Sequence, residues 1–163
     1  RGSMKVNLYQ MFVNDKRLPY LETVRETDCE DYKTYSSPAK IAELLKAVFG
    51  VDRLAEEYVW LLCFDVKFQC VGMFEVSHGG AAQSIVEVAQ VLKRALLCGA
   101  DQMILGHNHP SGIAEPSKED YLITKRLHEA GQLLELPLCD HVIVGGANRN
   151  DYFSFRESGV LKE

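Results

Sequence analysis

The sequence predicts an α/β fold: a single three-layer domain with helices flanking a mixed sheet. Short runs of β-branched and aromatic residues alternate with stretches of helical period, the pattern of a sheet covered by helices. The 163 residues make one ordinary domain. With 47% hydrophobic and 25% charged residues, the chain has the balance of a globular protein and not of a disordered or fibrous one. No apolar run approaches the roughly 18 residues of a membrane span.

Arg1-Gly2-Ser3 before Met4 has the look of a cloning scar. Val6, Leu8, Met11 and Val13 suggest a strand, Asn14-Asp15 a turn, and Asp28 to Lys33 a polar loop or arm. Residues 1–36 are thus read as scar and N-terminal strand or arm, with the main domain over 37–163. Ser37 suits an N-cap and Pro38 the first helical position. Ile41, Leu44, Leu45 and Val48 recur at helical spacing until Gly50, which can close the helix. Tyr58 to Val66 and Phe68 to Val76 read as a strand pair turning at Asp65-Val66-Lys67. Ser84 can cap a helix reaching Cys98, with Ile85, Val88, Val91, Leu92, Ala95 and Leu96 on its apolar face and Gly99 at its end. Gln102 to Leu105 is a short strand, His107 to Pro116 a loop, and Ser117 opens a helix carrying Leu122, Ile123, Leu127, Ala130 and Leu134 inward. Leu138 to Val144 is a further strand, and the tail from Tyr152 to Val160 is mixed.

Lys and Arg number 18 against 23 Asp and Glu, a formal charge of −5. That balance disfavours non-specific binding to a phosphate backbone. The five cysteines are odd in number and lack C-x-x-C spacing, which fits a reducing, cytoplasmic setting with most of them in the core.

One segment carries chemistry: Gly106-His107-Asn108-His109-Pro110-Ser111-Gly112, followed by Pro116-Ser117-Lys118-Glu119-Asp120. Histidines at i and i+2 in extended backbone point the same way and can clamp one cation. Asp120 has loop enough to return to the same point. Two imidazoles and a carboxylate would leave a fourth zinc position open for water, as in a catalytic site. The same residues also read as turn and capping chemistry, with Asp120 as the N3 acid of a box capped by Ser117. A zinc deaminase would need H-x-E and P-C-x-x-C, which the chain lacks. A two-metal nuclease would need more carboxylates.

His107-x-His109, Ser117 and Asp120 match the JAMM motif of the JAB/MPN metalloprotease superfamily position by position. The wording His-Asn-His-Pro-Ser-Gly with Pro-Ser-Lys-Glu-Asp resembles the bacterial RadC family, as do the Asp140-His141 strand and the Tyr152 to Glu157 tail. The resemblance implies a cytidine-deaminase-like α/β fold and Zn²⁺ held by His107, His109 and Asp120. It also implies a glutamate on an earlier strand, for which Glu75 is the match, as general base. Ser117 is expected either to stabilise the oxyanion or simply to cap the helix. Asp140-His141 reads as a buried pair or as a support for a ligand imidazole, and His78 as an alternative proton acceptor. The implied activity is zinc-dependent hydrolysis of a peptide or isopeptide substrate. The alternative is a DNA-repair-associated accessory factor without hydrolase activity. The helix-hairpin-helix segment that often precedes the domain in that family is not in this sequence, so weak DNA binding is expected.

Overall fold

The computed structural model describes residues 5–28, 35, 37–79, 86–146, 148 and 151–162. It is an α/β fold built on a mixed seven-stranded sheet of order β2-β1-β4-β3-β5-β6-β7. The strands are β1 Lys5–Val13, β2 Pro19–Asp28, β3 Glu57–Phe64, β4 Cys70–Gly79, β5 Gln102–Asn108, β6 Leu138–Val144 and β7 Tyr152–Ser154. Helix α1 (Pro38–Phe49) covers one face with Ile41, Ala42, Leu44 and Leu45. Helices α2 (Val88–Cys98) and α3 (Lys118–Leu133) cover the other, burying Val91, Ala95 and Leu127. These are the three layers expected from the alternation of strand and helix patterns.

Local chemistry sets the ends of the elements. The Ser37 side chain accepts from the Lys40 N–H, Pro38 follows it, and Gly50 closes α1 at φ 61°, a left-handed turn that glycine takes without a Cβ penalty. Asp65 turns β3 into β4 by accepting from the backbone N–H groups of Lys67 and Gln69. Helix α2 begins at Val88 with no side-chain cap from Glu87; the expected cap, Ser84, lies outside the described residues. Among the described residues no helix is long and apolar enough to cross a membrane.

The N-terminal segment does more than the sequence pattern suggests. Strand β1 turns through Asn14, whose side chain accepts from Lys16 and Leu18 N–H groups, and pairs antiparallel with β2. It also pairs in parallel with β4, Leu8 opposite Met73 and Tyr9 opposite Phe74, so this segment is hydrogen-bonded into the same sheet as the rest. Strand β2 carries no apolar alternation because it is an edge strand, exposed along most of its length; backbone pairing and not burial defines it.

The central strands β3 and β5 are buried on both faces, so successive residues serve opposite layers. Leu61, Phe74 and Leu105 pack toward α2 and α3, while Trp60, Met73 and Ile104 pack toward α1. This parity decides which polar side chains meet.

Candidate metal centre

Strand β5 carries His107 near its end and leads directly into His109. His107 follows Met103 and Leu105 at strand spacing, so it points to the α2–α3 face, where it is 3% exposed. The chain then leaves the sheet. His109 N–H donates to the Val144 carbonyl (2.9 Å), and Gly112, at φ 81°, turns back to donate to the His109 carbonyl (3.0 Å). The turn brings the Ile113 carbonyl to 2.9 Å from His109 Nδ1. A carbonyl only accepts, so Nδ1 carries the proton and Nε2 faces Asp120 Oδ2 at 3.1 Å.

Asp120 comes from the first turn of α3. Ser117 and Asp120 form a reciprocal capping box: the Ser117 hydroxyl accepts from Asp120 N–H (3.1 Å), and Asp120 Oδ2 accepts from Ser117 N–H (2.8 Å). Such a cap contributes about 1 kcal/mol and holds the carboxylate over the histidines, Asp120 Oδ1 lying 3.5 Å from His107 Nδ1. Burial pushes the Asp120 pKa up. The His109 hydrogen bond, the His107 charge and the Ser117 N–H more than offset this and hold it well below the usual carboxylate range. At His109 burial pulls the pKa down, but the hydrogen bonds to Asp120 and Ile113 outweigh it and raise it above the ordinary histidine value.

The fourth member is Glu57, at the start of β3. Val59 pairs with His107 across the β3–β5 ladder, and Glu57, two residues earlier, shares that face. Its Oε1 hydrogen-bonds His107 Nε2 and lies 3.7 Å from His109 Nε2. The His107 hydrogen bond lowers its pKa, against the opposing effect of burial. Asn108, fully buried, pins the backbone on both sides of it: its Oδ1 accepts from Tyr58 N–H (2.7 Å) and its Nδ2 donates to the Glu56 carbonyl (2.9 Å).

One ligand atom from each of Glu57, His107, His109 and Asp120 lies within 4.8 Å of the others. A tetrahedral zinc with bonds of about 2.1 Å spaces its ligand atoms about 3.4 Å apart. The His109 Nε2 separations of 3.1 Å to Asp120 Oδ2 and 3.7 Å to Glu57 Oε1 bracket that value, and His107 Nε2 sits closer still to Glu57 Oε1. Imidazole nitrogens set against carboxylate oxygens also require something positive between them, a proton or a cation. The donor set therefore fits zinc.

Glu75, expected beside these residues, is not brought to them. Its neighbour Phe74 packs on the α2–α3 face, so Glu75 must take the other. It pairs with Trp60 and lines an open groove of about 230 Å³ with Leu8, Arg25, Phe49 and Tyr58. His78 shares that fate: it stacks on Tyr58 at 4.8 Å and pairs with Glu56. A signal for Glu57 was present in the sequence, an acid placed two residues before a buried strand position, but nothing local says which strand lies beside His107.

The profile of the RadC-like JAB domain matches residues 35–160. The chain belongs to the RadC-like JAB domain family. Curated relatives named UPF0758 protein include one from Thermotoga maritima, 44% identical over 129 residues, and one from Trichlorobacter lovleyi, 38% identical over 132. A third, from Thiobacillus denitrificans, is 36% identical over 146 residues. The alignments cover 75%, 81% and 86% of this chain but only 57%, 55% and 62% of the relatives. The family match begins just before α1 and includes all four clustered side chains, whereas β1 and β2 precede it.

Proposed function

We propose that this RadC-like JAB domain is a zinc-dependent hydrolase of amide bonds, of metallopeptidase or isopeptidase type. The observation that carries the reading is the convergence of Glu57, His107, His109 and Asp120 on one point at ligand spacing. His107, His109 and Asp120 would hold the metal. A bound zinc supplies Lewis acidity and lowers the pKa of its water from 15.7 to roughly 7. Glu57, which already touches His107 Nε2, would take a proton from the attacking water and pass it to the leaving amine. The role expected of Glu75 thus falls to Glu57. Ser117 keeps its cap through an acceptor lone pair, and its hydroxyl proton remains available to steady a developing oxyanion.

The test is elemental analysis of purified protein, with about one zinc per chain expected. His109→Ala should lose most of it, together with any amidase activity found on a peptide and isopeptide panel. Wild-type protein that neither carries a transition metal nor takes up zinc on dialysis would refute the assignment.

A further inference from the structure

Behind the cluster, between α3 and β6, runs a chain of hydrogen bonds that the reaction above does not use. Thr124 is fully buried and His141 is 1% exposed. Thr124 Oγ1 donates to the backbone carbonyl of Asp120 (2.6 Å). The same oxygen lies 2.7 Å from His141 Nδ1, and His141 Nε2 lies 3.3 Å from His107 Nδ1. The chain starts on one candidate ligand and ends on another.

Its direction follows from the end that cannot donate. The Asp120 carbonyl commits the Thr124 proton, so the Thr124 oxygen accepts from His141 Nδ1–H. The His141 ring is stacked between Phe155, at 4.8 Å, and His107, at 5.5 Å. The neighbouring Asp140 carboxylate is engaged by the Ser154 hydroxyl and by the N–H groups of Arg156 and His141. A buried imidazolium in such a place is costly, so His141 stays neutral and its Nε2 accepts from His107 Nδ1–H. Asp120 Oδ1, 3.5 Å from that same nitrogen, favours the same tautomer. His107 Nε2 shares one proton with Glu57 Oε1 in the metal-free protein, and once a cation takes the place of that proton the Nε2 lone pair is the one directed at the centre of the cluster.

We propose that Thr124 and His141 are positioning residues that hold His107 in its Nδ1–H tautomer and so set the affinity of the cluster for a divalent cation. The inference rests on the metal reading given above and adds to it two residues that touch no ligand atom of the cation. Hydrogen-bond partners of this kind typically change metal affinity 10–100-fold when removed.

Two measurements decide it. Long-range ¹H–¹⁵N correlation spectra should show His141 protonated at Nδ1 alone, and His107 carrying an Nδ1 proton in both metal-free and zinc-loaded protein. Zinc competition against a chromophoric chelator should show Thr124→Val, nearly isosteric but without a hydroxyl, binding about 10–100-fold more weakly, with Thr124→Ser restoring wild-type affinity. A folded Thr124→Val protein with wild-type zinc affinity overturns the relay, as does His141 protonated at Nε2. If Thr124→Val does not fold, the wild-type spectra decide alone. Wild-type protein that shows the expected protons yet takes up no zinc overturns the metal reading, and the affinity claim with it.

Discussion

On the α2–α3 face of the sheet, where β3 begins and β5 ends, Glu57 meets two histidines and an aspartate. On the α1 face, across the same strands, Glu75 stands exposed beside Trp60, Phe49 and Tyr58. The aromatic side is held by stacking, Phe49 on Trp60 at 5.1 Å and Tyr58 on Trp60 at 5.3 Å. Both acids sit on adjacent central strands and differ in which way the pleat turns them. A carboxylate gains chemistry when buried imidazoles and backbone donors converge on it. The same group beside an aromatic shelf remains a solvated acid.

Exchanging each acid for its amide tests that difference most strongly. Glu57→Gln should keep zinc and fold yet lose about 10²–10⁴-fold in turnover, the usual worth of a general acid–base group. Glu75→Gln should keep wild-type turnover. Equal losses in steady-state assays of the two variants would erase the distinction between the faces.

A smaller effect is expected where the two faces are joined. Asn108 sits between the two histidines in sequence, yet its side chain points the other way and braces the backbone around Glu57. Asn108→Ala removes a fully buried side chain and leaves the part-buried Tyr58 N–H and Glu56 carbonyl without that partner, and should cost about 2 kcal/mol in denaturant unfolding. Turnover should fall more than zinc affinity, because the proton carrier and not the metal ligands loses its support. An activity loss matched by an equal loss of zinc would mean that Asn108 acts on the histidines.

Acid sensitivity should be confined to the α2–α3 face. Burial lowers the His141 pKa from 6.5 to about 3. The unfolded chain therefore binds this proton first as pH falls. The stability His141 contributes is complete above about pH 6.5 and is lost progressively toward pH 3, by at most about 1.4 kcal/mol per pH unit. His109, with its raised pKa, has the opposite sign, its contribution fading as pH rises. Comparing metal-free wild type with His141→Gln by urea titration between pH 7 and about 4 isolates the first effect. The variant's stability should fall less steeply, and parallel curves would show that His141 does not stay neutral in the fold.

Much of the fold was legible because its signals are local. Ser37-Pro38 and Gly50 bound α1, and Ser117 with Asp120 opens α3, through hydrogen bonds spanning a few residues. Strand β2 escaped because an edge strand is specified by its partner's backbone. Three clustered residues, His107, His109 and Asp120, could be grouped from sequence because thirteen positions separate the first from the last and one turn connects them. Glu57 lies 50 residues before His107, and no spacing rule covers that distance.

The sequence by itself determined the layers, the helix caps and the local half of the cluster, because side-chain period, capping and turn chemistry act over a handful of residues. Tertiary structure alone decided that β3 lies beside β5 in the register that sets Val59 against His107. It likewise brought Thr124 under His141 and His141 under His107. Those choices depend on which strands pair and on the parity of every residue between them, and both are settled only when the whole sheet is buried between its helices.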